Sequence, residues 1–258
     1  DVLFSPRTDA FGNQLSGNGA IQLGGPGRLE VIAGRNIDLS TSAGILTRGN
    51  LNNPLLPEGG ASIMTLAGAP LFAQNGTPKV DAAQYLVDDP AAASLPPIRL
   101  TRPGLVEHVR KVTGDAGVNE TNAVEKFNAL SAQQQWPLFL NAFFTALRET
   151  GRAVNSNGGD YDRGYQAIAS VFPGAAYKGD ISLFFSQIKT EQGGDIEMLA
   201  PGGMVNAGLA SAGSFSKSAS VLGIVTVNGG SVKAFVRSDF LVNASRVFTL
   251  GGGDILIW

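Results

Sequence analysis

The sequence predicts a mainly β chain wound as a parallel β-helix, a solenoid interrupted by an α-helical insertion. Three observations predict it. A glycine-led phrase with apolar residues two apart recurs in one orientation. The Asn-Gly and Asp-Gly pairs that close two-residue hairpins do not separate most of its copies. From about Arg99 to Pro173 the apolar period lengthens to three or four and helix punctuation replaces the phrase.

The copies are legible one by one. Gly27-Arg-Leu29-Glu-Val31-Ile-Ala33-Gly34 runs into Asn36-Ile37-Asp-Leu39, and Gly60-Ala-Ser-Ile63-Met-Thr-Leu66 follows. Gly179-Asp-Ile181-Ser-Leu183, Gly194-Asp-Ile196-Glu-Met198-Leu-Ala200, Gly230-Ser-Val232-Lys-Ala234 and Gly253-Asp-Ile255-Leu-Ile257 close the series. Apolar side chains two apart leave a strand on one face, so each copy is a short strand with one buried side. Stacked coil over coil, those faces form one continuous core. Val221, Ile224, Val225, Val227, Val232, Phe235, Val236, Phe240, Leu241, Val242, Val247, Phe248 and Leu250 are its expected C-terminal part. Asn36, Asn206, Asn228 and Asn243 fall near the turns, where their amides can satisfy corner backbone groups or stack as ladders.

Within the insertion Pro103 suits a first helical turn, Leu105, Val109 and Val112 share a face, and Gly114 ends that helix. Asn122 with Glu125, and Ser131 with Gln134, have the spacing of N-terminal capping pairs. Trp136, Leu140, Phe143, Phe144 and Leu147 give the clearest amphipathic stripe, with Gly151 as its expected end. Asp160 is placed to cap a last helix carrying Tyr161, Tyr165, Ile168 and Phe172 on one side, stopped by Pro173-Gly174. These aromatics are expected in a core rather than in a ligand cage. The stretch from Leu51 to Pro97 reads as a long connection with one short helix near Ala82 to Val87. The expected organisation is thus 1–98 for N-terminal coils and connection, 99–175 for the helical insertion and 176–258 for C-terminal coils.

Composition narrows the function classes. Only 16% of residues are charged, against roughly 25% in an ordinary globular protein, so a highly charged disordered tail is excluded. The formal net charge of -2 offers a phosphate backbone no positive field, so no nucleic-acid partner is expected. The 34 glycines imply many tight turns without a collagen-like period. With no cysteine there is neither a disulfide nor a thiolate nucleophile, and no run of apolar residues is long enough to span a bilayer. The opening Asp-Val-Leu-Phe reads as the start of an excised piece of something longer.

The stretches from Gly179 to Gly208 and from Ser238 to Trp258, with Gly-Gly-Asp-Ile-Glu-Met-Leu-Ala-Pro-Gly-Gly at 193–203 and Gly-Gly-Gly-Asp-Ile-Leu-Ile-Trp at 251–258, resemble the C-terminal region of filamentous-haemagglutinin-like exoproteins. The likeness is weaker over Gly27 to Leu66 and absent in the helical part. It implies a right-handed β-helix and passage, unfolded, through an outer-membrane two-partner-secretion transporter. A secreted or cell-surface location follows, with a role in adhesion, biofilm or contact with host or bacterial surface glycans or proteins. The lack of cysteine agrees, since a disulfide formed before export would obstruct an unfolded chain. Ile255-Leu-Ile-Trp258 reads as a strand without a cap, so further β-helix coils of the same chain are expected at both ends, with end-to-end association of the excised piece.

Chemistry is sparse. His108 is the only histidine, which removes metal sites built on several imidazoles, and its place beside an apolar helix face suits packing better than general-base work. Ser214-Phe-Ser-Lys217 matches a short Ser-x-x-Lys pattern but lacks its companion motifs. Asp88-Asp89 and Asp160-Tyr-Asp162 are paired acids of the kind that a carbohydrate-active β-helix enzyme would use, yet they are scattered. The Gly-Gly-Asp triplets ending at Asp160, Asp195 and Asp254 suit structural corners better than calcium sites. Lys178-Gly179-Asp180 is an integrin-type tripeptide, and Asn119-Glu-Thr121 and Asn243-Ala-Ser245 are formal glycosylation acceptors. Arg99, Arg102, Arg110 and Lys111 form the candidate ligand-contact patch, a local positive surface for acidic or sulfated glycans, with a solvated helix face as its bland reading. No catalytic residue, cofactor or metal is expected. The sequence points to a non-enzymatic adhesin segment, a β-helical shaft with a protruding helical subdomain. A carbohydrate-active enzyme or a purely structural spacer are the alternatives.

Overall fold

The computed structural model describes residues 1–4, 7–8, 10–11, 14–15, 19–50, 52–91, 94–174, 176–209, 217 and 221–258. The chain forms two compact units, Asp1–Gln74 with Ala175–Trp258, and Asn75–Gly174.

The first unit is a parallel β-helix. Coil one holds β1 (Val2–Leu3), an antiparallel hairpin of β2 (Arg7–Thr8) and β3 (Gln14–Leu15), then β4 (Ala20–Leu23) and β5 (Gly27–Ile32). Coil two holds β6 (Ile37–Asp38), β7 (Gly44–Thr47) and β8 (Ala61–Leu66), and α1 (Pro70–Asn75) follows it. After the inserted helices, coil three holds β9 (Ile181–Ser182), β10 (Gln187–Thr190) and β11 (Ile196–Ala200). Coil four holds β12 (Val205–Asn206), β13 (Gly223–Thr226) and β14 (Val232–Val236). Coil five holds β15 (Phe240–Leu241), β16 (Val247–Thr249) and β17 (Ile255–Ile257). Like strands stack into three parallel five-stranded sheets, β1-β6-β9-β12-β15, β4-β7-β10-β13-β16 and β5-β8-β11-β14-β17. The hairpin of β2 and β3 stands outside them.

Register makes the core. Val2, Ile37, Ile181, Val205 and Phe240 form one column, and Ile21, Ile45, Ile188, Ile224 and Val247 a second. Leu29, Ile63, Ile196, Val232 and Ile255 form a third. A slip by one residue would send every one of these side chains to the other face, so the columns fix the register. The expected C-terminal stack holds in part. Ile224, Val232, Val236, Phe240 and Val247 belong to the inner cluster, and Val225 and Phe235 are buried on alternate positions outside it. Val221, Leu241, Val242 and Leu250 are instead exposed, because they fall in corners or on outward positions.

Polar ladders hold the corners. Thr47, Thr190, Thr226 and Thr249 stack in register, and each hydroxyl donates to the carbonyl that opens the next strand of its own coil: Ala61 O, Gly194 O, Gly230 O and Gly253 O, at 2.7 to 3.1 Å. At the start of the longest strands Ser62 Oγ accepts from Asp195 N, Asp195 Oδ1 from Ser231 N, and Ser231 Oγ from Asp254 N, at 2.8 to 3.1 Å. Before the shortest strands Asp1 Oδ1 accepts from Asn36 N, Asn36 Oδ1 from Asp180 N and Asp180 Oδ1 from Met204 N. Asn36 is thus the ladder residue its position suggested, and Asn243 Nδ2 donates to Asn206 Oδ1 at 3.0 Å in the same manner. On the outer face of the third sheet Arg28 bridges Glu30 and the buried Glu197, whose strand lies beyond β8.

Gly194, Gly230 and Gly253 have φ of 98, 99 and 111°, and a Cβ on each would collide with the carbonyl of the coil before it. Glycine is required there for its backbone conformation and for the close approach. Gly230→Ala should therefore cost about 3 kcal/mol or more, whereas Gly252→Ala, with a similar φ of 97° but open space around its Cβ, should cost about 1–2 kcal/mol. Urea unfolding of the two variants measures the difference, and equal losses would refute the stacking constraint.

The second unit contains a 3-10 turn (Ala82–Gln84), α2 (Arg102–Thr113), α3 (Ala123–Ala129), α4 (Ala132–Asn157) and α5 (Asp162–Val171). Thr101 caps α2 through Gly104 N, and Gly114 ends it at φ 72°. The capping box of Ser131 and Gln134 starts α4. Three sequence expectations change here. Asp160, expected to cap the last helix, lies one residue before Tyr161, the N-cap of α5, and accepts from Asp162 N. Gly151 lies inside α4, which runs on to a left-handed Gly158, since neighbouring turns bury Leu147 and Thr150 and carry the helix past it. Asn122 is the N-cap of α3 without a side-chain cap bond, because its Oδ1 accepts from Asn119 N instead.

Trp136, Phe143, Phe144, Leu105 and Leu140 are fully buried in this unit, as their stripes predict, and so is Phe127 of α3. The segment read as connection packs there too. Gln135, wholly buried, accepts from Val80 N and donates to Val80 O and Phe127 O. Trp136 Nε1 donates to Pro78 O at 2.7 Å, and Asn128 holds both Ala82 N and Asp81. These bonds explain why the unit begins at Asn75. Gln135→Leu would orphan Val80 N and Val80 O, while Phe127 O would keep its bond from Leu130 N, and should lower stability by about 2–4 kcal/mol. Denaturant unfolding followed by tryptophan fluorescence reads this, and a neutral result would refute the clamp.

Candidate functional site

The sequence-predicted basic patch lies on and around α2, and most of its charge is engaged. Arg102 Nε and Nη2 grip both oxygens of Asp88 at 2.7 and 2.9 Å, and Nη1 donates to Glu120 O. That grip pushes the Asp88 carboxyl below its ordinary range, chiefly through the hydrogen bond from Arg102. Arg110 Nε and Nη2 both donate to Val118 O, fastening the loop after α2 to the helix. Arg99 Nε reaches Pro96 O at 3.4 Å, and burial, with Arg163 nearby, lowers its pKa against the pull of Glu149. Lys111 is exposed. The four residues share a region of the unit, but three serve local structure.

Beside them Pro103, Val106, Glu107, Arg110, Asn119 and Glu120 line an open groove of about 510 Å³. It mixes an apolar floor with both signs of charge, so it suits a polar peptide or sugar better than a lipid. The sequence missed a second surface. Tyr161 and Tyr165 are 45% and 57% exposed, with ring centroids 6.4 Å apart, and do not lie in the core. The face of α5 that is buried is Gly164, Ala167 and Val171. The small residues at spacings of three and four were the signal that the tyrosines flank that face rather than form it.

The remaining candidates resolve into structure. Asp89 Oδ1 accepts from Ala91 N, and Asp160 Oδ1 from Asp162 N. Asp195 serves Ser231 N and Lys233, and Asp254 N donates to Ser231 Oγ. Lys178-Gly179-Asp180 is built into a coil corner, where a Cβ on Gly179 would strike Arg35 O and Asp180 receives Met204 N. Asn119 spends its amide on Thr121 N and Gly117 O, and Asn243 on Asn206 and Gly208 O. Ser214 of the Ser-x-x-Lys phrase lies outside the described residues. Among the described residues no three His, Asp or Glu converge as a metal site, and no helix is long and apolar enough to cross a membrane.

Comparison with protein-family models, curated proteins and solved structures found no match.

His108 Nε2 donates to Gln134 O at 2.6 Å, and its ring lies 6.0 Å from that of Phe127. Burial holds the imidazole below its ordinary pKa of 6.5; the bond to Gln134 opposes this and the charge of Lys111 adds to it. A folded pKa below the unfolded one makes the neutral ring a source of stability above about pH 6.5 that is lost as pH falls toward the folded value. An NMR titration of this single imidazole should have its midpoint below 6.5, and His108→Gln should remove part of the acid sensitivity of unfolding. A midpoint at or above 6.5 would contradict the burial.

Proposed function

We propose that this chain is a non-enzymatic segment of a secreted or surface-exposed bacterial filamentous adhesin of the filamentous-haemagglutinin-like, two-partner-secretion type. The observation that carries the reading is the stack of five coils in register, with apolar columns inside and polar ladders at the corners, interrupted by one helical unit. A coil sequence of this kind suits a long, stiff support, because every rung repeats the same backbone bonds to its neighbours. Our reading takes the coil as right-handed, the hand of about 98% of crossovers between parallel strands of one sheet. The glycine phrases resembling those exoproteins are the corners and strands of these coils, and the lack of cysteine suits export of an unfolded chain through an outer-membrane transporter.

The helical unit, inserted between coils two and three, is the contact element for host or bacterial surface glycans or proteins. Its open groove and its exposed tyrosine pair favour this over a pure spacer, because aromatic rings with a polar tip are the usual anchors of recognition surfaces. Replacing residues 75–174 by a short Gly/Ser linker should abolish adhesion to cell or glycan surfaces while the strand signal in circular dichroism persists. Tyr161→Ser with Tyr165→Ser should reduce adhesion about tenfold or more with unfolding unchanged. Full adhesion by both variants would remove the contact role.

A further inference from the structure

The corner that follows the first sheet carries the described non-glycine residues with positive φ: Ser40 at 45°, Phe184 at 51° and Asn243 at 54°. They occupy equivalent places in coils two, three and five, three residues after Ile37, Ile181 and Phe240. At this corner three main-chain carbonyls, those of Thr41 and Ser42 from coil two and of Phe185 from coil three, converge on one point. Lys217 Nζ occupies it, 2.8, 2.9 and 2.8 Å from the three oxygens. Three donors meet three acceptors, and among the described residues no carboxylate shares the ammonium.

A neutral seat made only of backbone oxygens is the chemistry by which proteins hold weakly hydrated monovalent cations. Calcium sites use carboxylates, and among the described residues none stands at this seat. We propose that this corner is a monovalent-cation site whose resident ion is the protein's own: the Lys217 ammonium fills a three-carbonyl seat that potassium takes when the side chain is shortened. Its position gives the seat a task. Lys217 belongs to coil four, between β12 and β13, and its bonds reach coils two and three. It therefore ties the coil that precedes the helical insertion to the coils that follow it, at the one place where coil succession is broken in sequence.

The test compares the parent chain with Lys217→Ala by thermal unfolding in potassium chloride and in tetramethylammonium chloride at matched ionic strength. The parent should melt alike in both salts. Lys217→Ala should melt roughly 5 °C or more lower in the bulky-cation salt and regain at least half of that loss in potassium. Melting at the parent temperature, or equal melting in both salts, overturns the proposal. Because the chain has no cysteine, Lys217→Cys supplies a single thiol for a second arm. Alkylation in denaturant with 2-bromoethylamine restores an ammonium at the same reach, and iodoacetamide gives a neutral control. The aminoethylated protein should refold to parental stability and the carbamidomethylated one should not; equal stability of the two overturns the proposal.

Discussion

The spacing between stacked backbones governs this structure. Each strand of the β-helix unit bonds to the strand before and after it, about 4.8 Å away, so whatever stands at a given place in one coil lies against the equivalent place in the next. Columns must therefore be filled alike. Aliphatic residues repeat inside because a polar group there would lack a partner, threonines repeat at one corner because each closes the same turn, and glycines repeat where any β-carbon would meet a carbonyl.

The constraint also explains how the chain tolerates a large departure. Coil three does not need coil two to be its neighbour in sequence, only to present the same columns. Ile45 faces Ile188 and Ile63 faces Ile196 as if nothing intervened. Side-chain bonds reinforce the seam from several directions: Asn36 to Asp180 N, Ser62 to Asp195 N, Arg28 to Glu197, and Lys217 to the corner carbonyls. The inserted unit is closed on itself by its own buried polar clamp at Gln135 and by aromatic contacts such as Phe143 with Phe172.

The glycine phrases marked the strands of the third sheet because those strands are the longest and alternate over enough residues to show a period of two. In the first sheet the phrases marked β6 and β9, through Asn36-Ile-Asp-Leu39 and Gly179-Asp-Ile-Ser-Leu183, and left β1, β12 and β15 unmarked, since two-residue strands carry little periodicity. The second had a signal that went unused. Gly44-Ile-Leu-Thr, Gln187-Ile-Lys-Thr, Gly223-Ile-Val-Thr and Arg246-Val-Phe-Thr share an aliphatic residue two places before a threonine, and both are column positions. Among the helices, Pro103 located the start of α2 and the Ser131–Gln134 pair that of α4, because first-turn and capping preferences are local. The end of α4 and the exposure of Tyr161 and Tyr165 depend on what packs across the unit, which one stripe does not encode. The basic patch was legible as charge but not as surface, for the partners of Arg102 and Arg110 lie in loops outside α2 whose course a helix pattern does not encode. Lys217 had no legible signal at all, because carbonyls that converge in space leave no trace in residue type.

The two inter-coil ladders have a polarity. From Asp1 to Met204 and from Ser62 to Asp254, the side-chain acceptor always belongs to the earlier coil and the amide it receives to the later one. At these two corners each coil therefore offers side-chain oxygens on one side and main-chain amides on the other, so its two stacking faces are chemically unlike and a coil turned end for end would set oxygen against oxygen.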